Sequence, residues 1–299
     1  IKSINEGIMI NCVNLNKRNL NNLKELSFNK WKFNPNNEDF FDYYSTCNFA
    51  QQLLAKRHVK LAKLGDEYIG YIWYEPYSKK IWAIKSMYSR ENEVLTYRML
   101  IESVKFKGYL SYNCQSNDIN NAILKELGFN KSEGVIELCL NTFEIDKKSQ
   151  DNFLIKNNLS FREFNKGKDE NLRCCIQNEV FDDINRLPLN INDIYFDESQ
   201  NYYMEQGAVF LYKGETCAGY GQIIFENEIP HIVNVGIRKE YQGLKYGRAL
   251  MNHLLEIIDE NKFPEVCLRV KSSNFKALSL YKSLGFIEKG ETCCWELKR

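Results

Sequence analysis

This chain of 299 residues is written twice, and that repeat limits what it can fold into more than any other feature. The segment KLGDEYIGYIWYE, from Lys63, aligns with YKGETCAGYGQIIFE, from Tyr212, so that Gly65 falls on Gly214 and Gly70-Tyr71 on Gly219-Tyr220. The same offset sets Asn16-Lys17 on Asn165-Lys166. Further on, NDINNAILKELGF (Asn117 to Phe129) aligns with NFKALSLYKSLGF (Asn274 to Phe286). Self-similarity at this spacing marks two copies of one structural unit. Each copy reads as strand, helical region, β-hairpin with a glycine turn, strand, helix, strand, short helix ending at Gly-Phe, and alternating closing strands. The polar stretch EIDKKSQDN, Glu144 to Asn152, is the natural join, which predicts domains at 1–148 and 149–299.

Bulk properties narrow the function. A formal net charge of +1, with acids and bases interspersed, provides no field to recruit nucleic acid or an anionic membrane surface. No apolar run reaches the roughly 20 residues of a spanning helix. The start, IKSINEGIMINCVN, lacks the basic-then-apolar pattern of a signal peptide, so a cytoplasmic protein is expected. The 10 cysteines include no C-x-x-C pair. No metal site is therefore expected, and the cysteines read as small apolar fillers in a reducing compartment.

The chemistry concentrates in the second copy. His231, Val233, Val235 and Ile237 alternate as a strand. From Tyr246 the spacing turns helical through Ala249, Leu250, His253, Leu254, Ile257 and Ile258, about three turns in all. Between them lies RKEYQGLKYGR. A strand that enters a helix through a glycine-containing basic turn presents free N–H groups and a positive dipole end to an anion. Gly243 and Gly247 let a ligand approach the backbone, while Arg238, Lys239, Lys245 and Arg248 add charge. The turn suits a pyrophosphate. The first copy is shorter here and has no glycine between Tyr71 and Lys107, so the two copies differ in function.

These stretches resemble the GNAT superfamily of acyl-CoA-dependent N-acyltransferases. Gln242-Gly243-Leu244-Lys245-Tyr246-Gly247 is similar to the family's loop pattern, with Lys245 at the first glycine position. Asn274, Ala277, Leu280-Tyr281 and Gly285-Phe286 match its next signature. The resemblance implies an α+β (α/β) protein of two tandem GNAT-like domains, each a mixed, mostly antiparallel sheet flanked by helices, with a V-shaped gap between the fourth and fifth strands. Acetyl-CoA or a related acyl-CoA would lie in that gap. Its pyrophosphate would rest on Gln242, Gly243, Leu244, Lys245, Tyr246, Gly247 and Arg248. Its pantetheine would pair with Val235, Gly236 and Ile237, and Asn274 would reach the same arm.

Ala277, Leu280, Tyr281 and Leu284 share a stripe, which turns the phenol inward. An unperturbed tyrosine, with pKa about 10, matches the basicity of a departing thiolate, so Tyr281 is the expected general acid. His231 is the expected base, with Glu226 and Glu228 as alternatives. The first copy has Leu124 at the tyrosine position and reads as a degenerate copy. Tyr195, Phe196, Tyr202 and Tyr203, with Asp193, Asp197 and Glu198, are candidates for the acceptor region. The expected function is transfer to a small-molecule amine, in a protein that can form a homodimer. A protein or peptide N-acetyltransferase and a non-catalytic acyl-CoA sensor are the alternatives.

Overall fold

A computed structural model describes residues 9–144, 150–181 and 186–299. The boundary expected between 148 and 149 lies outside the described residues. The chain divides into two compact units, one of residues 1–135 with 290–299, the other of residues 136–289.

In chain order the elements are β1 (Ile10–Asn14), α1 (Leu20–Ser27), α2 (Phe40–Thr46), α3 (Phe49–Arg57), β2 (Val59–Leu64), β3 (Glu67–Pro76), β4 (Ile81–Ser89), α4 (Val94–Ser103), β5 (Tyr109–Gln115), α5 (Asp118–Glu126) and β6 (Asn130–Asn141). There follow α6 (Asp151–Asn157), β7 (Leu159–Glu163), α7 (Glu170–Val180), α8 (Ile191–Glu198), β8 (Tyr203–Lys213), β9 (Thr216–Glu226), β10 (Ile229–Ile237), α9 (Tyr246–Glu260), β11 (Glu265–Lys271), α10 (Phe275–Ser283) and β12 (Ile287–Lys298). The strand order is β1-β2-β3-β4-β5-β12 in the first unit and β6-β11-β10-β9-β8-β7 in the second. Only β4–β5 and β10–β11 pair in parallel among the registers established within the units; the rest are antiparallel. This is the mixed, mostly antiparallel α+β architecture read from the sequence.

The two units are not the two sequence copies, because the closing strands are exchanged. β12, from the end of the chain, pairs with β5 from Thr292↔Gln115 to Lys298↔Tyr109. It buries Cys293 and Trp295 in the first unit's core, with Leu23, Leu61, Trp73 and Tyr97. β6, from the first copy, sends Leu138 and Leu140 into the second unit's core beside Leu250, Leu254 and Val266. The repeat could not reveal this, since each closing strand alternates apolar and polar residues equally well on either sheet.

The exchange also corrects the reading of the cysteines as fillers. Cys139 of β6 and Cys267 of β11 form a disulfide, while the other eight cysteines are free. Their partnership has no sequence signal, because they lie 128 residues apart and become neighbours only through strand order. Glu265 lies beside the pair, but two sulfurs bonded to each other are not thiolate ligands.

The anchors of the repeat have local causes. Leu64↔Glu67 and Lys213↔Thr216 each close a two-residue hairpin. Gly65 and Gly214 both take φ of 59°, a left-handed value that glycine adopts without steric cost and that matches the strand twist. The apolar spacing after Tyr246 becomes α9, longer than expected at 15 residues, about four turns. No helix among the described residues is long and apolar enough to cross a membrane.

Leu138→Ala should remove about 2–5 kcal/mol from the second unit, as expected for truncating a fully buried leucine. Amide exchange should quicken first across β11 and α9. Quickening that begins in β2–β4 would contradict the assignment of β6 to the second unit.

Candidate active site

The site begins where two strands part. β10 and β11 pair in parallel at His231↔Cys267 and Ile232↔Leu268, and β10 then continues to Ile237 without β11 beside it. Against β9 its register shifts between Val233 and Gly236, and Asn234 sits in the bulge with φ of 53°. A bulge re-aims the strand and terminates pairing. The backbone edge of Val235–Ile237 is thereby left open on the side that would have met β11. The Cβ of any other residue at 236 would meet Val180 Cγ1 at 2.0 Å, so glycine lets α7 pack closely against this strand.

The turn from Arg238 to Lys245 leads into α9. Lys245, the departure from the family pattern, takes the left-handed conformation itself, φ 64°, and Gly243 takes φ of 80° with open space around it. Arg248 and Ala249 donate their amides to Lys245 O at 3.1 and 3.2 Å. No backbone acceptor is found among the described residues for the amides of Gly243, Leu244, Lys245, Tyr246 and Gly247. No side chain caps the helix and its first turn has no acid. Unpaired donors at a helix N-terminus make an anion site. Two of the basic residues expected to add free charge are engaged: Arg238 pairs with Glu179 at 3.0 Å, and Arg248 donates to Ser283 Oγ. Gln242 is also committed, its Nε2 donating to Ile237 O at 3.0 Å, which fixes the end of β10 against the turn.

At residue 247 three elements meet. A Cβ there would lie 3.7 Å from Leu280 Cδ2 and 3.8 Å from Ile237 Cγ1, joining the start of α9 to the end of β10 and to α10. Tyr281 packs in the same apolar cluster as Val235, Ile237, Tyr246 and Leu280, its ring 6.1 Å from that of Phe286. Leu278, which the stripe omitted, is the buried residue of α10; Leu280 and Tyr281 are partly buried. Burial raises the Tyr281 phenol above its ordinary value, a correction to the unperturbed tyrosine expected. Asn274 caps α10, its side-chain oxygen accepting from Ala277 N at 3.2 Å, which leaves its amide N–H pair for a ligand.

His231 lies elsewhere on β10, in the stretch still paired to β11, and is buried. Its Nδ1 contacts Ile229 O at 3.1 Å. A carbonyl only accepts, so Nδ1 is the donor in this contact and Nε2 is the nitrogen left to face another group. That Nε2 stands 4.0 Å from a Glu137 oxygen and 3.9 Å from a Glu226 oxygen. No hydrogen bond joins His231 to Tyr281 among the described residues.

Across the sheet, α7 and α8 cover a buried polar network missing from the sequence reading. Arg173, 2% exposed, donates from Nη2 to Asp197 and, at 3.0 Å, to Gln222 Oε1. That same oxygen accepts from Tyr220 at 3.3 Å and from Asn234, the bulge residue, at 3.2 Å. Burial opposes the Arg173 charge, but Tyr220 and Asp197 outweigh it and hold the guanidinium above its ordinary value. Several buried polar atoms of this region remain unpaired: Arg173 Nε and Nη1, Gln177 Nε2, Glu198 Oε1 and Tyr203 Oη. Burial, then the Glu170 charge, raises the Glu198 carboxyl. Of the expected acceptor residues, Tyr195 and Phe196 are largely exposed. Asp193 caps α8 through Asn190, and Asp197 is tied to Arg173, so neither is free to draw an amine. The available signal for Arg173 was a charge on the apolar stripe it shares with Ile176 and Val180.

The first unit contains the same parting of strands, but its own side chains fill it. β4 and β5 pair from Ile81↔Tyr109 to Ile84↔Tyr112 and then separate. On β4, Asn37 Nδ2 donates to Met87 O at 3.0 Å and Asn37 Oδ1 accepts from Met87 N at 3.3 Å. On β5, Asn34 Nδ2 donates to Asn113 O at 2.9 Å and Asn34 Oδ1 accepts from Gln115 N at 3.1 Å. Tyr112 Oη completes the Asn37 oxygen at 2.8 Å. The edges a ligand would need are thus already paired. β4 also reaches α4 through only Arg90–Glu93, without the glycine turn. On Val233–Ile237 the side-chain bond to the backbone found among the described residues is the single one from Gln242 Nε2 to Ile237 O, at the strand's last residue, where the first unit has paired donor and acceptor bonds on both edges.

Residues 178–286 match the acetyltransferase (GNAT) family. Ribosomal protein bS18-alanine N-acetyltransferase of Escherichia coli is 37% identical over 57 residues, 19% of this chain and 38% of that protein; the chain therefore spans well under half of that relative. An N-alpha-acetyltransferase of Sulfurisphaera tokodaii is 28% identical over 151 residues, 44% of this chain and 87% of its own. Among solved structures, a GCN5-related N-acetyltransferase from Sphaerobacter thermophilus superposes with a TM-score of 0.60 at 11% identity, covering 96% of this chain and 95% of its own. A tandem GNAT protein from the clavulanic acid biosynthesis pathway superposes with a TM-score of 0.52 at 10% identity, covering 97% and 98%.

All four tryptophans, Trp31, Trp73, Trp82 and Trp295, lie in the first unit, so their fluorescence reports that unit alone. Asn37→Ala leaves buried groups unpaired and should lower the tryptophan-reported stability in urea by about 2–4 kcal/mol, with CoA affinity unchanged. Unaltered stability would contradict the filled cleft.

Proposed function

Through residues 178–286 this chain belongs to the GNAT acetyltransferase family, and on that premise we propose that its second unit transfers an acyl group, acetyl in the first instance, from acyl-CoA to an amine. The observation that carries the reading is the meeting, at residue 247, of an open strand edge, a turn of unpaired amides and the α10 helix that bears Tyr281. Acyl-CoA fits these residues: diphosphate on the amides of 243–247, pantetheine along Val235–Ile237, and the Asn274 amide toward that arm.

When bound, acyl-CoA supplies an activated thioester and, after transfer, a thiolate that needs a proton. Tyr281 is suited to donate it. No hydrogen-bond partner is found for its hydroxyl among the described residues, and burial favours the neutral phenol, so the proton is present through neutral pH. His231 is the candidate base through Nε2, the nitrogen that Ile229 does not engage.

The acceptor is read from the unpaired atoms beside Arg173. Donors from Arg173, Gln177 and Tyr203 and an acceptor from Glu198 suit an uncharged carbonyl or hydroxyl oxygen together with an N–H group. Asp197 and Glu170, both close by, disfavour a further anion. A compact polar amine meets these terms and supports the small-molecule reading. A peptide N-terminus also brings carbonyl and amine together, and the names of the two relatives favour that second reading. A thiol-release screen over amino acids, amino sugars, polyamines and peptide N-termini, with the sequence Ala-first peptides included, distinguishes them.

Tyr281→Phe should lower turnover by about a hundredfold or more with CoA affinity nearly intact, and unchanged turnover removes Tyr281 from the chemistry. Because its folded pKa lies above the ordinary value, the ratio of wild-type to Tyr281→Phe turnover should stay level from about pH 7 to about pH 9; a decline inside that range would mean the phenol ionises too early. In the same series, a loss of turnover of about a hundredfold in His231→Gln supports the base, and unaltered turnover dismisses it. Gly247→Glu, which sets a carboxylate among the amides, should abolish CoA binding; retained affinity contradicts the cradle. Gln177→Leu removes a buried donor with no partner, so stability should hold or rise while acceptor KM rises about tenfold. An unchanged KM would place the acceptor elsewhere.

A further inference from the structure

We propose that the first unit, whose acyl-CoA cleft is filled, carries a separate pocket for a small nucleoside polyphosphate. Lys17, Lys56, Arg57, Lys60 and Lys105 converge from the loop after β1, from α3, from β2 and from the segment after α4 on a concavity of about 610 Å³, and no carboxylate lines it. Its volume lies within the range of small-molecule sites.

Several other cations of the unit meet carboxylates: Lys30 meets Asp39 at 2.5 Å, Lys63 meets Asp66 at 2.9 Å, Lys85 meets Glu38 at 2.8 Å and Lys131 meets Glu291 at 3.2 Å. None of the five pocket cations has an ion-pair partner among the described residues. Lys60 shows the cost of this arrangement, since burial and then the Lys105 charge lower its pKa. Gathering like charges in a hollow is unfavourable unless an anion neutralises them. Arginine beside lysines suits phosphate, the fork binding two oxygens and the ammonium groups adding point charge.

The walls argue for more than inorganic phosphate. Leu15, Leu53 and the Tyr74 ring line the same hollow, and Tyr74 belongs to an aromatic group with His58 and Trp82 at 5.6 and 5.7 Å between centroids. An apolar floor with a cationic rim fits a flat heterocycle that carries a chain of phosphates. A concavity of about 610 Å³ suits a mononucleotide better than a strand of nucleic acid, which needs an extended groove. This site does not depend on the α9 turn, so its failure and that of the transferase reading can be told apart.

The test is calorimetric titration of the full chain, as the Gly247→Glu variant, whose α9 cradle is closed to CoA, and as wild type, by ADP and by inorganic pyrophosphate at about 0.15 M salt. ADP should bind the variant at one site, about tenfold or more tighter than pyrophosphate. Lys56→Ala/Lys60→Ala should weaken ADP by about tenfold or more, and Gly247→Glu should leave ADP affinity as in wild type. Arg57→Ala, at an exposed position, repeats the measurement should the double variant fail to fold. Absence of ADP binding, equal affinity for pyrophosphate, indifference to the lysine and arginine changes, loss in Gly247→Glu, or displacement by a single-stranded oligonucleotide at lower concentration would each overturn the proposal.

Discussion

Backbone amides and carbonyls in the interior of a sheet must be paired, and the parting of a parallel strand pair breaks that rule in both halves of this protein. In the second unit β10 leaves β11 after Ile232↔Leu268, and the open edge continues into a turn whose amides are also unpaired. Such an arrangement is costly in isolation. It becomes favourable when an extended, partly peptide-like ligand with an anionic end occupies it, because one molecule supplies both the strand partner and the counter-charge.

The first unit meets the same constraint by another route. Asn34 and Asn37 each present a carboxamide to a strand edge, where side-chain oxygen and nitrogen take the places of a missing backbone. The result is a filled cleft with the same strand parting, so the fold keeps its backbone paired there without a ligand. Strand exchange further entangles the two evolutionary copies, since Leu138 and Trp295 each serve the core of the unit that the other copy mainly builds.

Much of this was legible in the sequence. The repeat anchors Gly65 and Gly214 fixed hairpins because a two-residue turn needs a left-handed residue. The run RKEYQGLKYGR announced a glycine-containing turn into a helix start because glycine and the change of apolar spacing are local signals. Tyr281 was placed in the right cluster by its spacing, although the stripe missed Leu278. What depended on long-range arrangement was hidden. The Cys139–Cys267 bridge and the exchanged strands require knowledge of strand order. The engaged states of Arg238, Arg248 and Gln242 require knowing what stands opposite them. The asparagines of FNPNNEDF look like an ordinary polar turn, and Arg173 looks like a solvated charge until Asp197 and Gln222 are brought to it.

The central claim, that acyl-CoA occupies the parted strands of the second unit and not those of the first, is tested most directly by following backbone amide resonances while CoA is added to the full chain. The account predicts one CoA per chain, with the largest shifts at Val235–Ile237 and Gly243–Arg248 and none beyond background at Lys85–Ser89 or Asn113–Gln115. Shifts centred on β4 and β5, or two equivalent molecules bound, would contradict it.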